Sequence, residues 1–360
     1  MNQLDLGGCK LAICLGPGGV GKTTISAALA IDAASAGRAV DVMTVDPAPR
    51  LLDALGLGSD ASEPREVDLR EVPGAKRGRL RALRLDPRAT FDAIVRRHAT
   101  SPAAAEAIIA GRIYRNIASA FAGVADYMAM EKLLELDAEP ATDFIVLDTP
   151  PAAEALDFLD APRRLLELLG SRAVTLLGPR TGRFGGSMVD IAARAVLSAF
   201  DRVTGLKLLG DVQAFVRNFD GMYEGFAERA KRAGAMLHAD TAAVIVVTTA
   251  EAGRIAQARE FIAALGRAEL RVRAVIVNRA MANLPETAEI ARAKIPTALK
   301  RKLRRNLEDH AALKTREALS FDTLRATMPA GAALMLAPDL GHEPRTLSDL
   351  AQIATQIHRA

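Results

Sequence analysis

Residues 16–24 read GPGGVGKTT, and the fold follows from what stands on either side of them. Gly16, Gly21, Lys22 and Thr23 satisfy the spacing G-x-x-x-x-G-K-[ST]. Before them KLAICL (10–15) is a short aliphatic run that ends at Leu15. After them TISAALAIDAASAG (24–37) is alanine-rich, favours helix, and stops at Gly37. A strand, a glycine turn and a helix in that order let the backbone N–H groups around Gly18, Gly19, Val20 and Gly21 point inward at the positive end of a helix dipole, which makes an anion cradle. In such a cradle Lys22 pairs with the β and γ phosphates of a nucleotide, and the Thr23 hydroxyl reaches its magnesium ion.

Working outward, further aliphatic runs predict strands at 39–45 (AVDVMTV), 81–85 (RALRL), 143–147 (DFIVL), 242–248 (AAVIVVT), 271–277 (RVRAVIV) and 331–336 (GAALML). Several are apolar on both faces, as strands of a covered parallel sheet are. The fold class expected is α/β, a doubly wound, mostly parallel sheet with helical insertions. Two stretches lack strand signals: 88–136, and 180–238, which opens on RTGRFGGS (180–187). Because strands resume after each, residues 1–360 are read as one domain whose two insertions form a helical subdomain.

Two aspartates close apolar strands: Asp46 in VMTVDPAPR and Asp148 in FIVLDTPP. Ligands of open α/β sheets sit at that edge. One aspartate there can hold magnesium or its water shell and the other can orient an attacking water. Each alone could equally cap a helix or start a turn.

Composition narrows the function classes. The chain has 360 residues, 50% hydrophobic and 25% charged, which places it with globular rather than disordered proteins. No apolar run reaches the length of a membrane span, and MNQLDLGGCK lacks the basic start and apolar stretch of a signal peptide, so a cytoplasmic location is expected. Cys9 and Cys14 are the only cysteines, too few for a disulfide framework or a zinc site, and the five histidines are scattered. A net charge of +4 gives little reason to expect a nucleic-acid partner.

With these motifs in place, the sequence resembles the arsenite-pump and tail-anchored-protein-targeting ATPase family, in its bacterial branch. GPGGVGKTT is similar to that family's phosphate loop, VDPAPRLLDALGL (45–57) to its first switch, and DTPPAAEALDFLDAPRRL (148–165) to its second. FDGMYEGFAERAK (219–231) and VIVNRAM (275–281) also read like members. The resemblance implies ATP and Mg²⁺ as cofactors, Asp46 as the residue that positions and activates water, Asp148 with Thr23 as the magnesium-linked pair, and Thr24 as a further phosphate contact. It also implies that Asn278 hydrogen-bonds the adenine and that the loop APDLGHEP (337–344), with Pro338, closes over the base. The family works in pairs, so a homodimer or a heterodimer with a related ATPase subunit is expected, with a hydrophobic or membrane-protein client. Three departures stand out. Pro17 occupies the position of the family's signature lysine, Pro49 that of its usual switch histidine, and Cys9 and Cys14 match neither the arsenite-binding cysteines nor the interface zinc site. The expected function is a magnesium-dependent ATPase; the alternative, for which Pro17 argues, is a nucleotide-gated regulatory or binding subunit with weak turnover.

Two surface features admit two readings each. Ile109, Ile113, Ile117, Phe121, Val124 and Met128 make one helical stripe, and Phe215, Phe219, Met222, Tyr223 and Phe226 another. Such stripes form a client groove or simply pack on one another. The basic residues Arg292, Lys294, Lys300, Arg301, Lys302, Arg304 and Arg305 touch a polyanion or make a solvated helix face, and Glu308 and Asp309 just beyond them favour the second.

Overall fold

The structure, a computed structural model, describes residues 4–58, 61–72, 75, 78–111, 114, 122–170, 222–281, 284 and 287–360. The chain divides into two compact units, one of Met1–Arg84, Pro140–Leu156 and His238–Ala360, the other of Leu85–Glu139 and Asp157–Leu237.

The first unit is built on a nine-stranded sheet in the order β3-β4-β2-β5-β1-β6-β7-β8-β9. Its strands are β1 (Leu11–Leu15), β2 (Ala39–Thr44), β3 (Arg65–Glu66), β4 (Arg79–Arg84), β5 (Phe144–Asp148), β6 (Ala242–Thr249), β7 (Val272–Ala280), β8 (Ala333–Pro338) and β9 (His358–Arg359). All seven strands expected from the aliphatic runs are present, with ends shifted by a few residues, and they pair in parallel. The two additions, β3 and β9, are two-residue exposed strands that pair antiparallel at the sheet edges. Two residues carry no periodicity, so nothing in the sequence marks them.

The order places β1 between β5 and β6, where the winding reverses. That crevice is where open α/β sheets hold ligands. Helix α1 (Lys22–Ser35) leaves β1 through the glycine turn and is buried along most of its length. Its alanines give it a slim surface, so Ile25, Leu29 and Ile31 share one core with Val42, Val146 and Ile245 of the sheet. Helix α2 (Arg50–Ala54) follows β2. An ion pair fixes the lower end of the same strands: Asp41 on β2, fully buried, takes Arg81 Nε at 2.7 Å and Nη2 at 2.7 Å, and accepts the Thr142 hydroxyl at 2.7 Å.

The described part of the second unit is helical: α3 (Pro87–His98), α4 (Pro102–Ala110), α5 (Ala122–Asp137), the end of α6 (Ala152–Leu159), α7 (Ala161–Gly170) and α8 (Tyr223–His238). Asp86 and Ser101 cap α3 and α4 and a proline begins each, so both starts are locally encoded. Of the two apolar stripes, Met128, Met222 and Phe226 are buried together with Phe91, Ile94 and Tyr114, and Ile109 packs against them half-buried. Phe91 meets Phe226 edge-on with ring centres 6.3 Å apart. These four therefore serve a core. Ile113, Ile117, Phe121, Phe215 and Phe219, the side chains of Val124 and Tyr223, and the segment RTGRFGGS lie outside what is described.

Back in the first unit, α9 (Ala252–Arg267) follows β6, α10 (Thr287–Arg292) and α11 (Thr297–Arg325) follow β7, and α12 (Leu347–Gln356) follows β8. The basic cluster lies on α10, α11 and the turn between them; Lys300 is half-buried and bonds to Ala291 O, and the rest are exposed. No described helix is long and apolar enough to cross a membrane.

Replacing Asp41 with Ala takes the carboxylate away from a half-buried Arg81 guanidinium, and breaking a pair with one fully buried partner costs about 3 kcal/mol. Asp41→Ala is expected to lower the unfolding free energy by that amount in urea titrations. A midpoint unchanged from wild type would show that the pair is dispensable.

Candidate phosphate-binding site

The loop from Gly16 to Gly21 lies at the carboxyl end of β1, and two of its glycines are sterically required. A Cβ on Gly16 would stand 2.1 Å from Val247 O of β6, so the backbone of the loop lies directly against the neighbouring strand. Gly21, at φ 86°, is in the left-handed region just before α1, and a Cβ there would meet Asn278 Nδ2 at 2.2 Å. Val20 is buried, so its side chain belongs to the core and only its backbone is available to the site. Gly18 and Gly19 have room above them.

Lys22 folds back over the loop, its Nζ 3.1 Å from both Gly16 O and Pro17 O. It is buried, and that burial lowers its pKa, against the opposing pull of Asp148 and Asp46; the charge of Arg50 adds to the lowering. Nearby lies a compact network centred on Asp148. Thr23 Oγ1 and Thr44 Oγ1 donate to Asp148 Oδ2 at 2.9 and 3.0 Å, and Ser26 Oγ donates to Oδ1 at 3.3 Å. Register explains the convergence. Thr44 on β2 and Cys14 on β1 pair with Asp148 on β5, and residues side by side in parallel strands point to one face. Burial raises the Asp148 carboxyl to about 6, opposed by its hydroxyl donors and by Lys22.

Asp46 is joined to this network through one atom. Thr44 Oγ1, which donates to Asp148, accepts the backbone N–H of Asp46 at 3.2 Å. Asp46 Oδ1 accepts from Ala48 N at 2.9 Å, which sets the turn into α2, and the residue stays half-exposed at the strand end. Arg84 Nη1 holds Pro47 O at 2.8 Å from the next strand. Thr24 is half-buried, its Oγ1 3.9 Å from the position of a Gly21 Cβ.

Asn278 reaches the loop from β7. Its Nδ2 donates to Val20 O at 2.9 Å and its Oδ1 accepts from Arg279 N at 2.9 Å. Arg279 sits at φ 56°, where the β7–β8 ladder is irregular between Val277 and Ala280. That irregularity turns Asn278 toward the phosphate loop. Pro338 lies beside Ala280 in the β7–β8 register, and Asp339 N donates to Ala280 O at 3.0 Å, so loop 337–344 starts next to Asn278. Glu317, buried on α11, accepts from Met281 N at 3.0 Å and fixes the far side of the same turn.

The structure thus joins Lys22, Thr23, Asp148 and Asp46 at one end of the sheet and ties Asn278 to the loop. Sequence reading missed Ser26, Thr44 and Glu317. Ser26 carried a signal, since it follows Thr23 by three residues and so shares a helix face with it. Thr44 could have been suspected from its place two residues before Asp46. Glu317, 36 residues from its partner, left no sign.

A phosphate loop at the switch point of a doubly wound parallel sheet, with a buried aspartate behind its threonine, defines a P-loop α/β protein. The chain belongs to the anion-transporting ATPase family, which it matches over residues 9–315. Among curated relatives it is similar to ATPase GET3 of Malassezia globosa, 30% identical over 210 residues, which are 57% of this chain and 59% of that protein. ATPase GET3 of Mycosarcoma maydis is 30% identical over 188 residues (51% and 52%), and ATPase get3 of Schizosaccharomyces pombe 30% identical over 190 (51% and 51%). The chain spans about half the length of the curated relatives it matches.

The raised Asp148 carboxyl has a consequence for stability. Its unfolded counterpart titrates near pH ~4, so between about 4 and 6 the folded state binds the extra proton, and this group's contribution declines as pH rises through that window. Relative to Asp148→Asn, nucleotide-free wild type is expected to lose up to about 3 kcal/mol from pH 4 to 6, with a flat difference above. Parallel unfolding curves across the window would contradict the assignment.

Proposed function

We propose that this chain is a magnesium-dependent ATPase whose nucleotide state is relayed to partner surfaces through its two switch segments. The observation that carries the reading is the hydrogen-bonded path Thr23–Asp148–Thr44–Asp46, which links the phosphate loop to the ends of β2 and β5. Membership of the family supports the activity, and the names of its relatives support ATP as the nucleotide.

The residues fit the metal. Thr23 gives its hydroxyl hydrogen to Asp148, which leaves oxygen lone pairs for a hard cation, and Asp148 adds negative charge behind it. Magnesium, when bound there, would neutralise charge on the β and γ phosphate oxygens. The backbone N–H groups of 18–21 would seat the phosphates, and Lys22 would exchange its two carbonyl contacts for phosphoryl oxygens. Thr24 would add a further contact. Asp46, with one carboxylate oxygen held by Ala48 N and the other without a partner among the described residues, would orient the attacking water. Asn278 has one N–H and one lone pair beyond its present bonds, enough to read an adenine edge while keeping the loop in place, with Pro338 beside it.

The finer reading is of a dimer that couples these states to a hydrophobic or membrane-protein client, with segments 88–136 and 180–238 acting as one helical subdomain in a cytoplasmic setting. Pro17 supports the second reading, a nucleotide-gated subunit of low turnover. Proline has no cation to offer the developing phosphoryl charge, so a homodimer lacks it at both sites, and a lysine-bearing relative would restore it at the site of this chain.

Lys22→Ala is expected to abolish ATP turnover and to weaken MgATP binding at least tenfold, by phosphate release and calorimetry; a variant equal to wild type would remove the site assignment. Pro17→Lys in the isolated chain is expected to raise turnover tenfold or more, since one well-placed cation is worth up to about 10³ in rate. A fast wild type that the change leaves unaltered would rule out the missing-cation account.

A further inference from the structure

The motif supplies the phosphate loop with a single cation, Lys22, but a second reaches it from a different element. Helix α9 begins where β6 ends, beside β1, and its third residue is Arg254. The backbone there is pinned: buried Thr248 at the end of β6 donates its hydroxyl to Arg254 O at 3.2 Å. The loop is pinned to the same strand, since Gly16 lies against Val247 O. Loop and first helical turn are thus held at one strand end by contacts in which the Arg254 side chain takes no part.

The guanidinium is aimed back at the loop. Its Nη2 lies 3.9 Å from where a Cβ on Gly19 would stand, and among the described residues, the glycine's chain neighbours aside, no other heavy atom comes within 4 Å of that position. Nη1 donates to Gln257 Oε1 at 3.1 Å, which holds the side chain in one orientation along α9. Among the described residues no carboxylate pairs with it, and it is half-buried. A planar fork of donors, fixed by a neutral partner and facing a glycine of an anion cradle, matches the oxygens of a phosphate chain.

We infer that Arg254 is a phosphate-contacting residue, donating from Nη2 in cis to the polyphosphate of a nucleotide seated on residues 16–21. The inference rests on the reading of that loop as a nucleotide site and adds a cation that the motif does not encode. It also separates two roles. Lys22 acts from within the loop, whereas Arg254 acts from the β6 side, so the two charges would flank the phosphate chain.

The test is calorimetric titration of the full chain with MgATP, MgADP and AMP, for wild type, Arg254→Gln, Arg254→Lys and Lys22→Ala. Arg254→Gln is expected to weaken ATP and ADP about tenfold, the size of one charge-assisted hydrogen bond at a partly exposed site, and to change AMP by no more than about twofold. Arg254→Lys should recover most of the loss, which a merely structural role at the start of α9 would not require. Thermal midpoints of the nucleotide-free variants should match wild type, while the upward shift that ATP induces is smaller for Arg254→Gln. If wild type binds ATP, Lys22→Ala does not, and Arg254→Gln binds as wild type does, the inference on Arg254 fails alone. If wild type itself does not bind ATP, or Lys22→Ala binds it equally, the nucleotide reading fails and takes this one with it.

Discussion

The carboxylate of Asp148 is the constraint around which the rest of the site is arranged. A buried charge in the middle of a parallel sheet costs several kcal/mol unless hydrogen bonds answer it. Here three hydroxyls do so, one from β2 and two from α1. Because the three donors come from two elements, the acid fixes the height of α1 over β5 and the end of β2 at the same time. It also explains why α1 carries Thr23 and Ser26 on the face it buries, where an apolar residue would otherwise pack. Cys14, the third member of the same row, lies next to this acid, and its thiol is pushed up to about 12, mostly by burial. A neighbour that stays neutral adds no charge for Asp148 to compete with.

Close backbone approach is the second constraint. The phosphate loop is confined on one side by Val247 O and on another by the Asn278 amide, and neither contact tolerates a side chain at Gly16 or Gly21. The loop therefore takes its shape from β6 and β7 as well as from its own sequence. Arg279 in a left-handed conformation beside Asn278 fits this arrangement, because the turn it forces aims the amide at Val20 O. Such backbone strain persists where surrounding contacts over-determine it, and Asp339 N and Glu317 supply those contacts on the two residues that follow.

These two constraints separate what the sequence could tell from what it could not. The seven long strands were legible because most are runs of aliphatic residues, and their parallel direction followed from the helical stretches between them. The edge strands β3 and β9 were not, since two residues have no pattern. Lys22, Thr23, Asp46 and Asp148 could be read because each stands at a strand end or in a motif with fixed spacing. Thr44 and Ser26 act through register and helix face, which appear only once β2, β5 and α1 are packed. Asn278 was singled out through a resemblance, but its bond to Val20 O depends on a bulge, a feature with no signature in a single sequence. The stripes of the second unit show the same limit, since Met128 and Phe226 at helical spacing fit a core and a groove equally well until the partners of their faces are known.

The charges of the site are better matched to a nucleotide complex than to the protein by itself. Lys22 is held below its ordinary pKa by burial, so the folded chain keeps its ammonium at a disadvantage. Asp148 is held above its ordinary value for the same reason, so its carboxylate is at a disadvantage too. The two cannot relieve each other fully, since Lys22 bonds to Gly16 O and Pro17 O and Asp148 to its hydroxyls. On the proposed reading both are relieved by one ligand. Phosphoryl oxygens would satisfy the ammonium, and a magnesium ion at Thr23 would stabilise the carboxylate behind it. Each relief raises affinity for the pair of ions together more than for either alone, because the phosphates attract the cation and the cation offsets their repulsion of Asp148. On that reading, the opposed shifts of Lys22 and Asp148 would favour MgATP over free ATP. Any change in charge at Asp148 would then pass through Thr44 to the half-exposed Asp46.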